Sequence, residues 1–174
     1  VFGGERGDLP LPPGAAGLVA AVLAERGISA VLDIAEYELP DHKRFVRDFA
    51  EAFFQAKKSR RSPVHLFLEE AQVLAPMNPD RDETTMLNRV ERLARIGRNY
   101  GIGWTLISQR PQDVHTKVRN QAGTLLALRT IGTHERKAIG EWVSDKARSK
   151  DEASLTERLE RRSQLDRKTR GVHL

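Results

Sequence analysis

The chain contains no cysteine, and that one absence removes disulfides, thiolate metal sites and cysteine nucleophiles together. Its five histidines, at 42, 65, 115, 134 and 173, never fall at a ligand spacing such as His-x-x-x-His, so a metal held by imidazoles is not expected either. Long apolar runs are also missing. The longest weakly polar stretch, residues 15–24, stops far short of the roughly 20 residues a membrane span needs, and no cationic, apolar leader opens the sequence. A cytoplasmic location is the expectation. Finally, no GxxxxGK[ST] occurs: no lysine follows Gly3, Gly4 or Gly7 at that spacing, and Lys58-Ser59 lacks the glycines. Without such a loop no backbone amides wrap a phosphate chain and no lysine bridges its end.

What is present is enough for one globular domain: 174 residues, 39% hydrophobic and 30% charged. The net charge of +5 favours polyanionic partners. Nine basic and five acidic residues between Lys146 and Arg170 hold most of that excess. We therefore expect a core over residues 1–145 and a charged helical tail over 146–174; a charge run of this kind is more often a solvated helix face than a nucleic-acid site.

Helical and strand periods alternate along the core, which predicts an α/β domain with a mostly parallel sheet flanked by helices. "PPGAAGLVAAVLAERG" reads as a helix opened by proline and stopped at Gly27, and "ISAVLDI" as a short strand. "DHKRFVRDFAEAFFQAKK" spaces Phe45, Phe49, Ala52 and Phe53 for one helix face, with Asp41 as the expected N-cap. "VHLFLE" lacks clean alternation, as expected for a strand covered on both faces. After the loop "APMNPDRD", the helix "ETTMLNRVERLARIGRNYG" carries an apolar stripe of Met86, Leu87, Val90, Leu93, Ala94 and Gly97. "IGWTLIS" is another strand, "QRPQDVHTKVRNQA" a short helical or irregular crossover, and "GTLLALR" a further buried strand.

In parallel sheets ligands bind beyond the carboxyl ends of the strands. One strand here ends at Glu69 and Glu70, the other at Ser108, Gln109 and Arg110. An apolar run ending in two acids fits a Walker B element, where the first carboxylate holds the water shell of Mg2+ and the second polarises an attacking water. A solvent-exposed turn is the competing explanation. If the two strands are neighbours, the Gln109 amide points to the same pocket. At 100° per residue, Arg92 and Arg95 fall roughly opposite the apolar stripe while Arg89 and Arg98 flank it. Outward arginines meet water or a neighbouring subunit, and in ring ATPases the neighbour's phosphate is what such a residue stabilises.

Taken together, "HLFLEEAQVLAP", "MLNRVERLARIGRNYGIGWTLISQRPQDVHTKV" and "NQAGTLLALR" resemble the C-terminal part of the ATPase core of HerA-type proteins, hexameric relatives of the FtsK DNA translocases. "GGERGDLPL" is similar to another segment of that family. The resemblance covers most of residues 1–142. It implies a RecA-like P-loop NTPase fold, Mg2+-dependent ATP hydrolysis between subunits of a homo-oligomeric ring, and movement of double-stranded DNA, with a nuclease as a partner. On that resemblance Glu69 lies on the magnesium side, Glu70 is the catalytic base, Gln109 is the polar sensor, and Arg95 or Arg98 reaches the adjacent site. Glutamate in place of aspartate at 69 departs from the family pattern, and so does the missing phosphate loop. Either the sequence is a fragment that begins downstream of that loop, which we expect, or it is a degenerate subunit. The alternatives in function are a conjugative-transfer or packaging ATPase, or a non-catalytic module in which "KKSRR" and the basic tail hold nucleic acid.

Overall fold

A computed structural model describes residues 1–128 and 132–146. The chain divides into two units, the first spanning residues 1–125 and the second beginning at Leu126. In the first unit, a 3-10 turn at Pro13–Ala15 leads into α1 (Ala16–Arg26). Next come α2 (Leu39–Ser59), β1 (Val64–Leu68), α3 (Ala71–Leu74) and α4 (Arg81–Ile96). A 3-10 turn at Gly97–Tyr100 precedes β2 (Ile102–Leu106), and α5 (Thr116–Arg119) ends the series. The second unit holds α6 (Thr133–Lys146). The charged tail expected over 146–174 lies, beyond Lys146, outside the described residues.

The fold is mixed α/β, with β1 and β2 parallel and in register from Val64↔Ile102 to Leu68↔Leu106. Parallel neighbours need a crossover, and α3 with α4 supplies it. The crossover ends at Gly101, whose φ of 78° is left-handed. A Cβ there would lie 2.8 Å from the Ser62 carbonyl oxygen, so only glycine lets the chain turn this tightly against the entry to β1. The Gly101 carbonyl accepts the N–H of Val64 at 2.9 Å, which starts the pairing.

The core is built on α2. Phe45, Phe49 and Phe53 repeat every four residues, so their rings stand in a row, with centroids 6.1 and 5.4 Å apart. The facing helix α1 presents Ala16, Ala20 and Ala24, all buried. Small residues at that spacing let the rings lie close to the α1 backbone. Phe53 and Phe54 also meet Leu93 of α4 and Ile102 of β2, so one aromatic face joins two helices to the sheet. A second cluster, Ala71, Ala75, Leu87, Val90, Val114 and Val118, packs α3, α4 and α5 under the carboxyl end of the strands.

Several expectations need correction. The strand over 28–34 reduces to a bridge between Phe2 and Leu32, because Phe2 alone offers an edge, through bonds to the Val31 carbonyl and the Asp33 N–H. "GTLLALR" forms no strand over its described residues; Leu126 and Leu128 are 86% and 90% exposed. Leucine-rich sequence becomes strand only where packing and a neighbouring edge reward it. Asp41 is not the N-cap: Pro40 lies at the first helical positions, so α2 begins earlier, with Glu38 at the cap position and Asp41 in the first turn. β1 is covered on one face only, since Val64, Leu66 and Leu68 pack inward while His65 and Phe67 are exposed. Lys57, part of the "KKSRR" run that the binding-module alternative assigns to nucleic acid, is fully buried and donates to the Ser62 carbonyl and, at 2.9 Å, to its hydroxyl. Burial, with Arg60 nearby, holds the Lys57 amine below its ordinary pKa.

Helix α4 starts at a capping box. Asp80 Oδ1 accepts the Glu83 N–H at 2.7 Å while Glu83 Oε2 accepts the Asp80 N–H at 2.9 Å. Lys43 of α2 adds a bond to Asp80 Oδ2 at 2.5 Å. The Glu83 backbone N–H first, and then the Lys43 ammonium, hold the Asp80 carboxyl below its ordinary value of 3.8. A depressed carboxylate stabilises the fold above its unfolded pKa, and that contribution vanishes as pH falls through the folded value. Asp80→Ala should therefore lower the thermal midpoint by about 2–4 °C near neutral pH. Thermal scans at stepped pH should show the gap from the parent closing as pH drops below 3.8.

Candidate functional site

The two polar strand ends emerge side by side. Because β1 and β2 are parallel and Leu68 pairs with Leu106, Glu69-Glu70 and Ile107-Ser108-Gln109 leave the same edge of the sheet. The pairing continues one step beyond the strands: Ile107 N–H donates to the Leu68 carbonyl at 2.9 Å and Ala71 N–H to the Ile107 carbonyl at 3.0 Å. Glu69, Glu70 and Gln109 are all exposed. Glu69 and Gln109 make no side-chain hydrogen bond to another described residue, so both are available to a ligand.

Glu70 has φ 49° and ψ 49°, the one non-glycine residue of positive φ among those described. The chain reverses there from strand into α3, and a residue with a Cβ pays about 1–2 kcal/mol to adopt that conformation. The strain sits on one of the two acids that sequence alone singled out.

Gln72 is the residue that sequence reasoning passed over. Its Nε2 donates to Glu70 Oε2 at 2.5 Å, and its Oε1 accepts from Ser108 Oγ at 2.5 Å. The Ser108 oxygen in turn accepts the Arg110 N–H at 3.0 Å. The end of β1 is thus tied to the end of β2 through one amide. An amide two residues beyond a strand-terminal acid, at the start of a helix, is the sequence signal that could have drawn attention to it.

The loops that follow are fastened to each other. Met77 N–H donates to the Asp113 carbonyl at 2.8 Å and His115 N–H to the Ala75 carbonyl at 2.7 Å, with an antiparallel bridge between Pro76 and Val114. His115 Nδ1 accepts the Lys117 N–H at 3.1 Å. Burial first, and the Lys117 charge second, hold the His115 imidazole below its ordinary pKa, which suits an acceptor role.

The arginines lie at the other end. Arg98, in the turn before β2, is exposed and forms no ion pair with a described residue. Arg95 is bonded to Glu91 Oε1 at 2.7 Å within its own helix. Arg92 does not point away from the core, contrary to helix-wheel counting. It lies 4.4 Å from the Phe54 ring centroid and, like Arg89, pairs with Glu51 of α2. The Gln55 amide first, and then Arg92, hold the Glu51 carboxyl below its usual range. Helix α2, lying alongside α4, turns two of the four arginines into internal ties.

Glu69 and Glu70 are oxygen donors suited to a hard cation approached through water. Among the described residues no three acidic or imidazole side chains gather as a self-sufficient metal cage, so a cation here would need further oxygens from a substrate or its water shell. No described helix is long and apolar enough to cross a membrane. The strained turn itself is open to measurement: Glu70→Asn, which suits a left-handed backbone better, should raise unfolding free energy in urea by about 0.5–1 kcal/mol with an unchanged m-value.

Comparison with known proteins identifies the relatives of this chain. A family model described as helicase HerA-like C-terminal matches residues 55–162. A probable DNA double-strand break repair helicase HerA of Methanocaldococcus jannaschii is 35% identical over 77 residues, covering 44% of this chain and 15% of that protein. A probable helicase of the same organism is 29% identical over 118 residues, covering 67% of this chain and 21% of that one. The DNA double-strand break repair helicase HerA of Pyrococcus furiosus is 30% identical over 73 residues, 42% of this chain and 13% of that protein. The chain thus spans no more than about a fifth of the length of these relatives. The family match nevertheless takes in more than half of this chain, including both strands, the paired glutamates and the arginine helix: the chain belongs to the HerA-like helicase C-terminal family.

Proposed function

We propose that this chain is the hydrolytic part of a RecA-like, DNA-moving ATPase motor. The observation that carries the proposal is the shared edge: two acids on one strand and an amide on its parallel neighbour, linked through Gln72. Glu70 acts as general base toward the attacking water, Glu69 orients the water shell of Mg2+, and Gln109 senses the terminal phosphate. ATP·Mg2+ supplies the phosphoryl group and the cation that neutralises its charge. The exposed carboxylates and amide fit the water and metal side of such a substrate. The glycine-lysine cradle that would grip its phosphates does not occur in these 174 residues, so this chain by itself is inactive in our account and the cradle belongs to the longer protein.

Arg98, with Arg95 as the second candidate, serves a neighbouring copy. Arg98 precedes β2 while Glu70 follows β1, so a parallel strand length of about 15 Å separates them along the sheet. That span keeps the arginine from its own chain's Glu70 and supports a role in trans within a homo-oligomeric ring, hexameric by family resemblance. Double-stranded DNA as cargo, a nuclease as partner and a cytoplasmic setting are further parts of this proposal. The binding-module alternative loses support from Lys57, which is buried, and from Arg61, which lies 5.3 Å from the Tyr100 ring centroid.

In the full-length protein, Glu70→Gln should reduce ATP turnover at least about 100-fold while leaving nucleotide affinity within a few-fold. Turnover near the parent rate would refute the base assignment. Arg98→Ala should also abolish hydrolysis, and rings mixing Arg98→Ala with Glu70→Gln subunits should recover part of it. Mixed rings as inactive as either parent variant would remove the role in trans.

A further inference from the structure

We propose that Gln72 is a positioning residue for hydrolysis, holding the Glu70 carboxylate to the end of β2 through Ser108. The proposal rests on Glu70 being the base. Its physical content is the direction of the hydrogen bonds. Arg110 N–H donates to Ser108 Oγ at 3.0 Å, Ser108 O–H to Gln72 Oε1 at 2.5 Å, and Gln72 N–H to Glu70 Oε2 at 2.5 Å. Every donor points toward the carboxylate, so each bond polarises the next and the series ends on the anion. A primary amide suits the middle place because it accepts at one atom and donates at another.

The need for such a tether follows from exposure. Glu70 is exposed and long, and an unrestrained glutamate spreads over many rotamers. A general base must instead sit within hydrogen-bond reach of one water in one geometry. The anchor is firm at both ends. Gln72 is half-buried in α3, whose first residue is fixed by the bond from Ala71 N–H to the Ile107 carbonyl. Ser108 is held by the turn that closes over Gln109. Gln109 is thereby enclosed between the two residues that start the series, so displacement of its backbone would be passed to Glu70 through Ser108 and Gln72.

The test is steady-state ATP hydrolysis by the full-length protein with DNA, comparing Gln72→Leu, Ser108→Ala, the double variant and Glu70→Gln. Gln72→Leu keeps size and helix preference but loses both polar atoms. We expect kcat to fall about 10- to 100-fold with KM for ATP within about twofold. Ser108→Ala, which removes only the outer link, should lower kcat less, and the double variant should be no slower than Gln72→Leu because both changes cut one series. A kcat for Gln72→Leu within twofold of the parent, or losses that multiply in the double variant, would overturn the proposal while an inactive Glu70→Gln upheld the base assignment. An active Glu70→Gln would bring down both. Should Gln72→Leu fail to assemble, Ser108→Ala decides alone: an unchanged kcat refutes the tether, and a lowered kcat at constant KM supports it.

Discussion

The parallel pairing of β1 with β2 is the constraint from which the rest follows. Two parallel neighbours cannot be joined by a hairpin, so the chain must travel back along the sheet before the second strand begins. Helix α4 makes that return, and it carries its last arginines to the end of the sheet where β2 starts. The same geometry leaves both carboxyl ends at the opposite edge. Glu70 and Arg98 therefore sit at opposite ends of the sheet within one copy. The turn at Gly101 fixes the register, because any other residue there would collide with the carbonyl of Ser62.

Packing then decides which charged groups are free. The phenylalanine row of α2 lies against the alanines of α1 on one side and meets α4 and β2 on the other. Glu51, on that same helix, captures Arg89 and Arg92. Stacking a guanidinium on Phe54 while pairing it with a carboxylate gives it two partners at once. What began as a helix with four candidate arginines is left with Arg98 exposed and Arg95 held by a bond to Glu91 that a stronger anion could replace.

Much of this was legible in the sequence because the relevant signals are local. The Phe45-Phe49-Phe53 spacing, the left-handed stop at Gly27 and the glycine turn into β2 each depend on neighbours a few residues away. Misreadings arose where a partner distant in sequence decides the outcome. "GTLLALR" has the composition of a strand yet forms none over its described residues, and Arg92 faces outward on a helical wheel until α2 is placed beside it. The candidate site divides in the same manner. Glu69 and Glu70 announce themselves by adjacency after an apolar run, whereas the role of Gln72 appears only once Ser108, thirty-six positions further on, is brought within hydrogen-bond distance.

The left-handed backbone at Glu70 bears on what variation at that position would mean. A turn of this kind, taken alone, is best filled by glycine or asparagine, and a β-branched residue would scarcely fit. Backbone demand therefore favours a short set of residues at position 70 whether or not any chemistry occurs there, so an invariant glycine or asparagine would be weak testimony for catalysis. Glutamate lies outside the set the turn prefers. Its presence marks a choice made against local geometry, and it is the absence of glycine and asparagine at this position in related sequences that would record selection for a carboxylate.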